Sequence, residues 1–296
     1  MDDNRQLIEN EDNRNTLRSI ANLFENNAAK RDLKDSKFEE VIKQIVYRKS
    51  AYYYDLFLVA YDEICNYTFN NYEEFERHIE KQRKNKYPSR LLKFYESSNN
   101  EEPRDDTIKY ALEVYNYQTV MLDKLKFSSL RRNTNDNNGF DNILGLLNSD
   151  NVLFDIFLSH RYIYKFYNLV IYYALTVYYG FTVYVDWIYD KEIDRKDVTR
   201  ATCDMLIKRM RQSKTFIFFN INKLNTTNWM SWEVGYFRGF KADAISILDL
   251  NGYCKGNTNV EVMSTEYQMT YHKSSNDIIV NGDSAHSIKD WVKKRR

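Results

Sequence analysis

The glycines of this chain all lie from residue 139 onward, and this distribution limits what each half can fold into. None of the eight glycines precedes Gly139, whereas both prolines, Pro88 and Pro103, lie before it. Glycine is the usual residue at tight turns, so its absence indicates long helices with few sharp turns between them. Apolar residues also recur there at helical spacing. The pattern predicts helices over about 15–28, 37–66, 71–86, 106–127 and 139–148.

Tyrosine and phenylalanine recur along the apolar faces of these helices. Such a stripe is typical of core packing, but it also fits a surface for self-association or sensing, and the residues alone leave both open. The polar, turn-forming run 133–139 is a candidate start of a linker. We therefore expect residues 1–149 to form an all-α N-terminal domain.

After Asp150 the pattern changes to short apolar, β-branched runs that alternate with helices. Strands are predicted at 152–158, 181–185, 215–219 and 244–248. Helices are predicted over 162–178, ended by Gly180, from the N-cap Thr199 to about Gln212, and from Trp229 onward. This alternation predicts a parallel sheet covered on both faces, in a domain of residues 150–296. We also expect a fifth strand at 278–280 and a closing helix at 284–294.

Composition excludes several classes of protein. An apolar fraction of 43% can form a core, and a net charge of +1 gives no reason to expect nucleic acid. Three separated cysteines and four histidines without ligand-like spacing predict neither a disulfide framework nor a metal site. The charged start of the chain lacks a signal peptide, so we expect a cytoplasmic protein. Residues 166–185 carry no charge, but their tyrosines and Gly180 favour a buried helix and strand over a membrane span.

The segment 228–236 places two tryptophans and one carboxylate at the start of a helix that follows a strand. Positions four apart share a helix face, so Trp229 and Glu233 are expected to form an aromatic wall beside an acid. That pair suits a flat, cationic ring. Two ordinary interpretations remain open: Glu233 stabilises the helix N-terminus, and Trp229 only packs.

Three segments in order carry a resemblance to a known family. They are 155–161, which closes the first strand, 180–186, which contains the second, and Trp229-x-x-x-Glu233. Together they resemble the Toll/interleukin-1 receptor (TIR) domain over roughly residues 150–250, and the segments 185–199 and 209–213 resemble its bacterial branch. Ser231 stands where proline is common in that branch and Arg238 where aspartate is common. The first 150 residues lie outside the resemblance.

The resemblance implies a flavodoxin-like α/β fold and an enzyme that cleaves the nicotinamide–ribose bond of NAD+. Members of the family either hydrolyse NAD+ or produce cyclised nucleotides, and many bacterial members act in anti-phage defence, including the Thoeris type. Two alternatives stay open. One is a non-catalytic TIR scaffold that acts by assembly with partner proteins, and the other is an enzyme on a similar fold that transfers nucleotide-sugar or deoxyribosyl groups.

The candidate catalytic residue is Glu233, whose carboxylate would stabilise positive charge on the ribose. The expected substrate-binding residues lie at the sheet rim, in the loop 187–198 or at the helix start, and are Ser159, His160, Arg161, Asp186, Arg195 and Trp229. Charges of that loop could gate a site shared between subunits, or could simply be solvated. NAD+ is expected as a substrate, with no cofactor and no metal. The expected partners are further copies of the chain, through its TIR and helical regions, and a possible downstream effector protein.

Overall fold

A computed structural model describes residues 11–25, 33–47, 51–69, 71–84, 92, 104–133, 152–161, 164–190, 199–219, 221, 228–250, 268–281 and 286–295. Its helices are α1 (Glu11–Leu23), α2 (Ser36–Val46), α3 (Ala51–Tyr67), α4 (Tyr72–Arg83), α5 (Arg104–Asn133), α6 (Lys165–Val177), α7 (Asp186–Tyr189), α8 (Arg200–Arg211), α9 (Asn228–Arg238) and α10 (Ile288–Lys293). Its strands are β1 (Phe154–His160), β2 (Val183–Tyr184), β3 (Ser213–Phe219), β4 (Ile245–Leu248), β5 (Gln268–His272), β6 (Asp277–Asn281) and β7 (His286–Ser287).

The helices α1 to α5 confirm an α-helical N-terminal region, with one correction. The segment 37–66, expected as a single helix, forms both α2 and α3. Helix α2 ends at Val46, because the C-cap residue Tyr47 has a φ of −97° and a ψ of 5°, which lie outside the helical region. The break allows α2 to pack against α1 while α3 packs along α5. The expected helix 139–148 lies outside the described residues, and the domain boundary at 149/150 stays a prediction.

The second half forms the expected α/β architecture. Among the described residues, one seven-stranded sheet has the order β2-β1-β3-β4-β5-β6-β7, and its pairs from β2 to β5 are parallel. The order reverses beside β1, as in flavodoxin-like folds. Because parallel crossovers are right-handed as a rule, the reversal at β1 places α6 on one face and α8 and α9, which contact each other, on the opposite face. The architecture is therefore the expected flavodoxin-like α/β fold, preceded by a helical region.

Helix α6 explains the charge-free stretch of the sequence. Every residue of this helix is buried, since it contacts β2 on one side and both α1 and α3 on the other. A helix that is apolar all round needs such cover on every side. Gly180 follows with a φ of 73°, a conformation that glycine adopts without strain. No helix within the described ranges has both the length and the apolar character of a membrane crossing.

The end of the sheet differs from the expected order. The parallel fifth strand is β5, which was not expected as a strand, and the segment 278–280 lies in β6, which pairs with β5 in antiparallel fashion. Only Met269 is buried in β5, so this strand lacks the apolar run that marks β1, β3 and β4. The connection 273–276 is too short for a crossover helix and therefore forms a hairpin. The closing helix is confirmed as α10, which follows the short strand β7.

Candidate active site

The candidate residues gather where the strand order reverses. Strand β1 lies between β2 and β3, and its carboxyl end carries Ser159 and His160, paired in register with Phe218 and Phe219 of β3. Ligands of open α/β sheets bind at the carboxyl ends of the strands beside such a point. Helix α9, which carries Glu233, follows β3 along the chain and contacts β1, β3 and β4.

Glu233 lies on the inward face of α9. Met230, Glu233, Val234 and Phe237 are all buried, at the spacing i, i+3, i+4 and i+7 of a helix face that packs on a sheet. The Glu233 side chain therefore points toward the sheet, and the residue is only 3% exposed. A buried carboxylate is costly unless polar groups surround it, so this position calls for a local partner.

Ser159 supplies such a partner. Its Oγ donates a hydrogen bond to Glu233 Oε2 at 2.5 Å, and Ser159 is itself only 2% exposed. A hydroxyl–carboxylate hydrogen bond of this length is typical of charge-assisted bonds, which are stronger than neutral ones. The bond joins the end of β1 to α9 and fixes the carboxylate at the reversal point of the sheet. The structure therefore brings two of the candidate residues into direct contact.

Trp229 and Glu233 differ in burial, and the expected aromatic wall beside the acid stays a prediction. Trp229 is half buried, and its ring stacks on that of Trp232, with centroids 4.8 Å apart and an angle of 25° between the planes. Residues four apart on a helix differ in direction by about 40°. That difference is enough to bury Glu233 while Trp229 lies at the margin of the packed face. Trp232 is also half buried, and its ring centroid lies 5.9 Å from that of Tyr236, with the two planes tilted by 30°.

His160 and Asp186 form a second pair at the same rim. His160 Nδ1–H donates to the Leu158 carbonyl at 2.9 Å, and the other ring nitrogen, Nε2, lies 3.6 Å from Asp186 Oδ1. The carbonyl can only accept, so Nδ1 carries a proton and Nε2 faces the carboxylate. Asp186 also accepts from the Trp187 backbone N–H at 2.8 Å. The pair connects the end of β1 to the start of α7.

Arg161 is half buried and directly follows β1. Its guanidinium carbon lies 5.8 Å from the centroid of the Tyr164 ring. Its carbonyl accepts from Asn168 Nδ2 at 3.0 Å and from the Tyr164 backbone N–H at 3.1 Å. The main chain of Arg161 is thus held by α6, while its side chain lies at the rim. Arg195, the remaining candidate, lies outside the described residues.

The start of the loop 187–198 is anchored by a charge pair that sequence reasoning missed. Asp190, expected among the gating or solvated charges, accepts two hydrogen bonds from Arg209 of α8, each at 3.0 Å. It also accepts from the Tyr184 hydroxyl at 2.7 Å. Burial lowers the pKa of Arg209, but the hydrogen bonds and charge of Asp190 outweigh it and raise the pKa above its usual value. Arg209 follows Leu206 at helical spacing on the buried face of α8, which is the signal that could have identified it.

No protein-family model matches the chain. Two curated bacterial proteins are similar to it. The "Probable 3' cyclic ADP-D-ribose synthase ThsB'" of Bacillus cereus (strain MSX-D12) is 37% identical over 93 residues, which are 31% of this chain and 47% of that protein. The "Putative cyclic ADP-D-ribose synthase TIR2" of Cytobacillus dafuensis is 26% identical over 254 residues, which are 80% of this chain and 62% of that protein. The chain thus covers less than two thirds of either relative, but the second similarity is too long to be confined to the α/β half.

Proposed function

Because this chain is a relative of bacterial TIR proteins named as cyclic ADP-D-ribose synthases, we propose that it cleaves the nicotinamide–ribose bond of NAD+. The observation that carries the proposal is the buried carboxylate of Glu233, held by Ser159 at the reversal point of the sheet. This is the position where doubly wound folds bind nucleotides.

The chemistry requires only one carboxylate. Glycoside cleavage normally uses two, one to protonate the leaving group and one to stabilise the sugar cation. Nicotinamide in NAD+ is a pyridinium, so the electron pair of the broken C1′–N bond neutralises it and no acid is needed. Positive charge then develops on the ribose, where Glu233 would stabilise it or orient a ribose hydroxyl.

We propose that the product is a cyclic ADP-ribose, because both relatives carry that product in their names. In this step a hydroxyl oxygen of the same molecule forms the new bond to C1′ and loses its proton. Attack by water instead would yield linear ADP-ribose.

The other candidate residues would hold the substrate. Arg161 can offer a bidentate fork to the pyrophosphate or bind ribose hydroxyls. Trp229 can stack on the nicotinamide cation. His160 and Asp186 would act as a hydrogen-bonding pair toward the ribose, and Arg195 stays a prediction. No metal is proposed, and the assignments to self-association, a downstream effector and the cytoplasm also stay predictions.

The alternative is a non-catalytic TIR scaffold that acts by assembly. One observation favours it: a glutamate that is 3% exposed and bonded to a buried serine could serve packing alone. The two functions differ in whether nicotinamide is released, so one experiment separates them.

The test is incubation of the purified protein with NAD+, with nicotinamide, ADP-ribose and cyclic ADP-ribose measured by chromatography and mass spectrometry. We expect Glu233→Gln to lose about 100-fold to 1,000-fold in kcat, which corresponds to roughly 3–4 kcal/mol. Glu39→Gln is the matched control, because Glu39 is also a buried glutamate but lies in α2. No release by any variant would favour the scaffold, and equal release by Glu233→Gln and wild type would remove Glu233 from the mechanism.

A further inference from the structure

Helix α6 is held by the N-terminal helices at two separate places, and one of them lies directly beside the candidate site. We define the first-turn anchor as the contacts between α3 and the first turn of α6. Its members are Tyr54, Phe57, Tyr61 and Asn66 of α3 with Lys165, Phe166 and Tyr167 of α6. The last-turn anchor comprises the contacts of Glu39 with Tyr173 and Tyr178.

The first-turn anchor combines polar and aromatic contacts. The hydroxyls of Tyr54 and Tyr167 lie 2.8 Å apart, and Lys165 Nζ donates to Asn66 Oδ1 at 2.9 Å. The Phe166 ring packs edge-on against two aromatic rings of α3, with centroids 5.1 and 5.2 Å away. Three consecutive residues of α6 are therefore fixed by α3, so the position of this turn depends on the helical region.

The next residue, Asn168, connects this turn to the rim. It is fully buried in a helix whose other buried residues are mostly apolar. Its Nδ2 donates to the carbonyl of Arg161 at 3.0 Å, and its Oδ1 meets no hydrogen-bond donor among the described residues. A buried amide with only one hydrogen bond is less favourable in free energy than an apolar side chain of the same size, so packing alone does not explain Asn168. The bond it does form holds the main chain immediately after Ser159 and His160.

We propose that α3 of the helical region positions the rim segment 159–161 through the first turn of α6, with Asn168 as the positioning residue. The inference rests on the proposed function for its consequence in catalysis, but its structural part stands on these contacts alone. The N-terminal helices then form part of the machinery that holds Arg161 toward the substrate. Asn168 itself acts through Arg161 and is not a catalytic residue.

The last-turn anchor provides an internal comparison. Tyr173 and Tyr178 both donate to Glu39 Oε1, at 2.9 and 2.6 Å. Tyr178 lies eleven positions after Tyr167, which is about 16 Å along a helix. Loss of a bond at this anchor destabilises the same helix and the same interface, but it leaves Asn168 and Arg161 in contact. A merely structural role for α3 would make the two anchors equivalent.

The first measurement is hydrogen–deuterium exchange of the full chain, followed in peptides that contain Arg161. Asn168→Leu keeps the side-chain volume but removes the donor, and we expect exchange there to rise by at least about fivefold. Thr176→Val is the matched control, a buried polar residue of α6 whose hydroxyl meets no partner within the described ranges. Tyr54→Phe should also raise exchange at Arg161, whereas Tyr178→Phe, at the distant last-turn anchor, should not. Unchanged exchange in both Asn168→Leu and Tyr54→Phe would overturn the proposal. If Asn168→Leu does not fold, the result for Tyr54→Phe alone tests the proposal.

The second measurement is steady-state kinetics of nicotinamide release. We expect Asn168→Leu to raise KM for NAD+ about fivefold to tenfold with a smaller change in kcat, since Arg161 would bind the ground state and the transition state alike. In an Arg161→Ala background the same change should have little further effect on KM. If Asn168→Leu raises KM by the same factor in the Arg161→Ala background as in wild type, the link between Asn168 and Arg161 is overturned. Absence of release by wild type would refute the proposed function, while the exchange measurement would still decide whether α3 positions the rim.

Discussion

Replacing Ser159 by alanine removes one oxygen atom from the candidate site and leaves the carboxylate of Glu233 without the hydrogen bond at its Oε2. Both residues are buried, and the two oxygens lie 2.5 Å apart. A hydrogen bond to a charged group contributes about 1.5–3 kcal/mol. If the bond holds Glu233 where charge develops on the ribose, the same free energy is lost from the transition state.

A loss of about 1.5–3 kcal/mol corresponds to a decrease in kcat of roughly 10-fold to 160-fold, because each 1.36 kcal/mol is a factor of ten. KM for NAD+ should change by less than about threefold, since Ser159 would act on Glu233 and not on the bound substrate. Ser159→Thr keeps the hydroxyl and should recover most of the lost rate. The free energy of unfolding should also fall, by no more than about 3 kcal/mol.

The assay is nicotinamide release at saturating NAD+, together with urea unfolding of each variant. Ser213→Ala is the matched control, because Ser213 is a buried serine of β3 whose Oγ donates to the Arg209 carbonyl at 2.8 Å. It should lose stability without a selective loss of kcat. The reasoning is refuted if Ser159→Ala retains wild-type kcat, or if it raises KM while kcat stays constant, which would make Ser159 a substrate ligand.

Two further predictions concern the stability of the fold. Arg209→Met leaves Asp190 without its buried charge partner and should lower the free energy of unfolding by about 3–5 kcal/mol in urea denaturation. The double variant with Asp190→Leu should recover part of this loss. A loss below about 1 kcal/mol in Arg209→Met would show that the pair contributes little to stability. The second prediction concerns alkaline pH. Burial and the adjacent Glu39 raise the pKa of Tyr178 well above the ordinary 10.0, so above pH 10 the unfolded chain releases its proton first and stability falls, by up to about 1.4 kcal/mol per pH unit for this group. Tyr178→Phe should show a shallower decline in urea unfolding between pH 9 and 11, and identical slopes would contradict the assignment.

Local signals in the sequence were sufficient for most elements. Thr199 was expected to cap a helix, and its Oγ1 accepts from the Thr202 backbone N–H at 3.3 Å. Gly180 was expected to end α6, and it follows the helix with a positive φ. Both features depend on a few neighbouring residues, so a short window of sequence contains the necessary information. Strand β5 escaped detection for the opposite reason, because only Met269 within it is buried.

The sequence indicated which residues to consider for the candidate site, and their roles stay predictions, but it did not indicate the contacts between them. The motif spacing indicated Ser159 and Glu233, yet the hydrogen bond between them joins residues that are 74 positions apart. Helix geometry predicts that Trp229 and Glu233 lie on nearly the same face, but their directions differ by about 40°. This difference lets Trp229 stack on Trp232 while Glu233 is buried. Only the packing of α9 on the sheet decides which of these two residues is buried.

The sequence by itself determined that a glycine-free helical region precedes an alternating α/β region, and that an acid and two tryptophans begin the helix after β3. These properties follow from residue periods and caps, which act over one or two turns. The tertiary structure alone decided that α3 meets the first turn of α6, that Asp190 pairs with Arg209, and that the carboxylate of Glu233 is held by a serine of β1. Contacts of this kind join distant parts of the chain through shape and charge, and no local pattern of residues encodes which surfaces will meet.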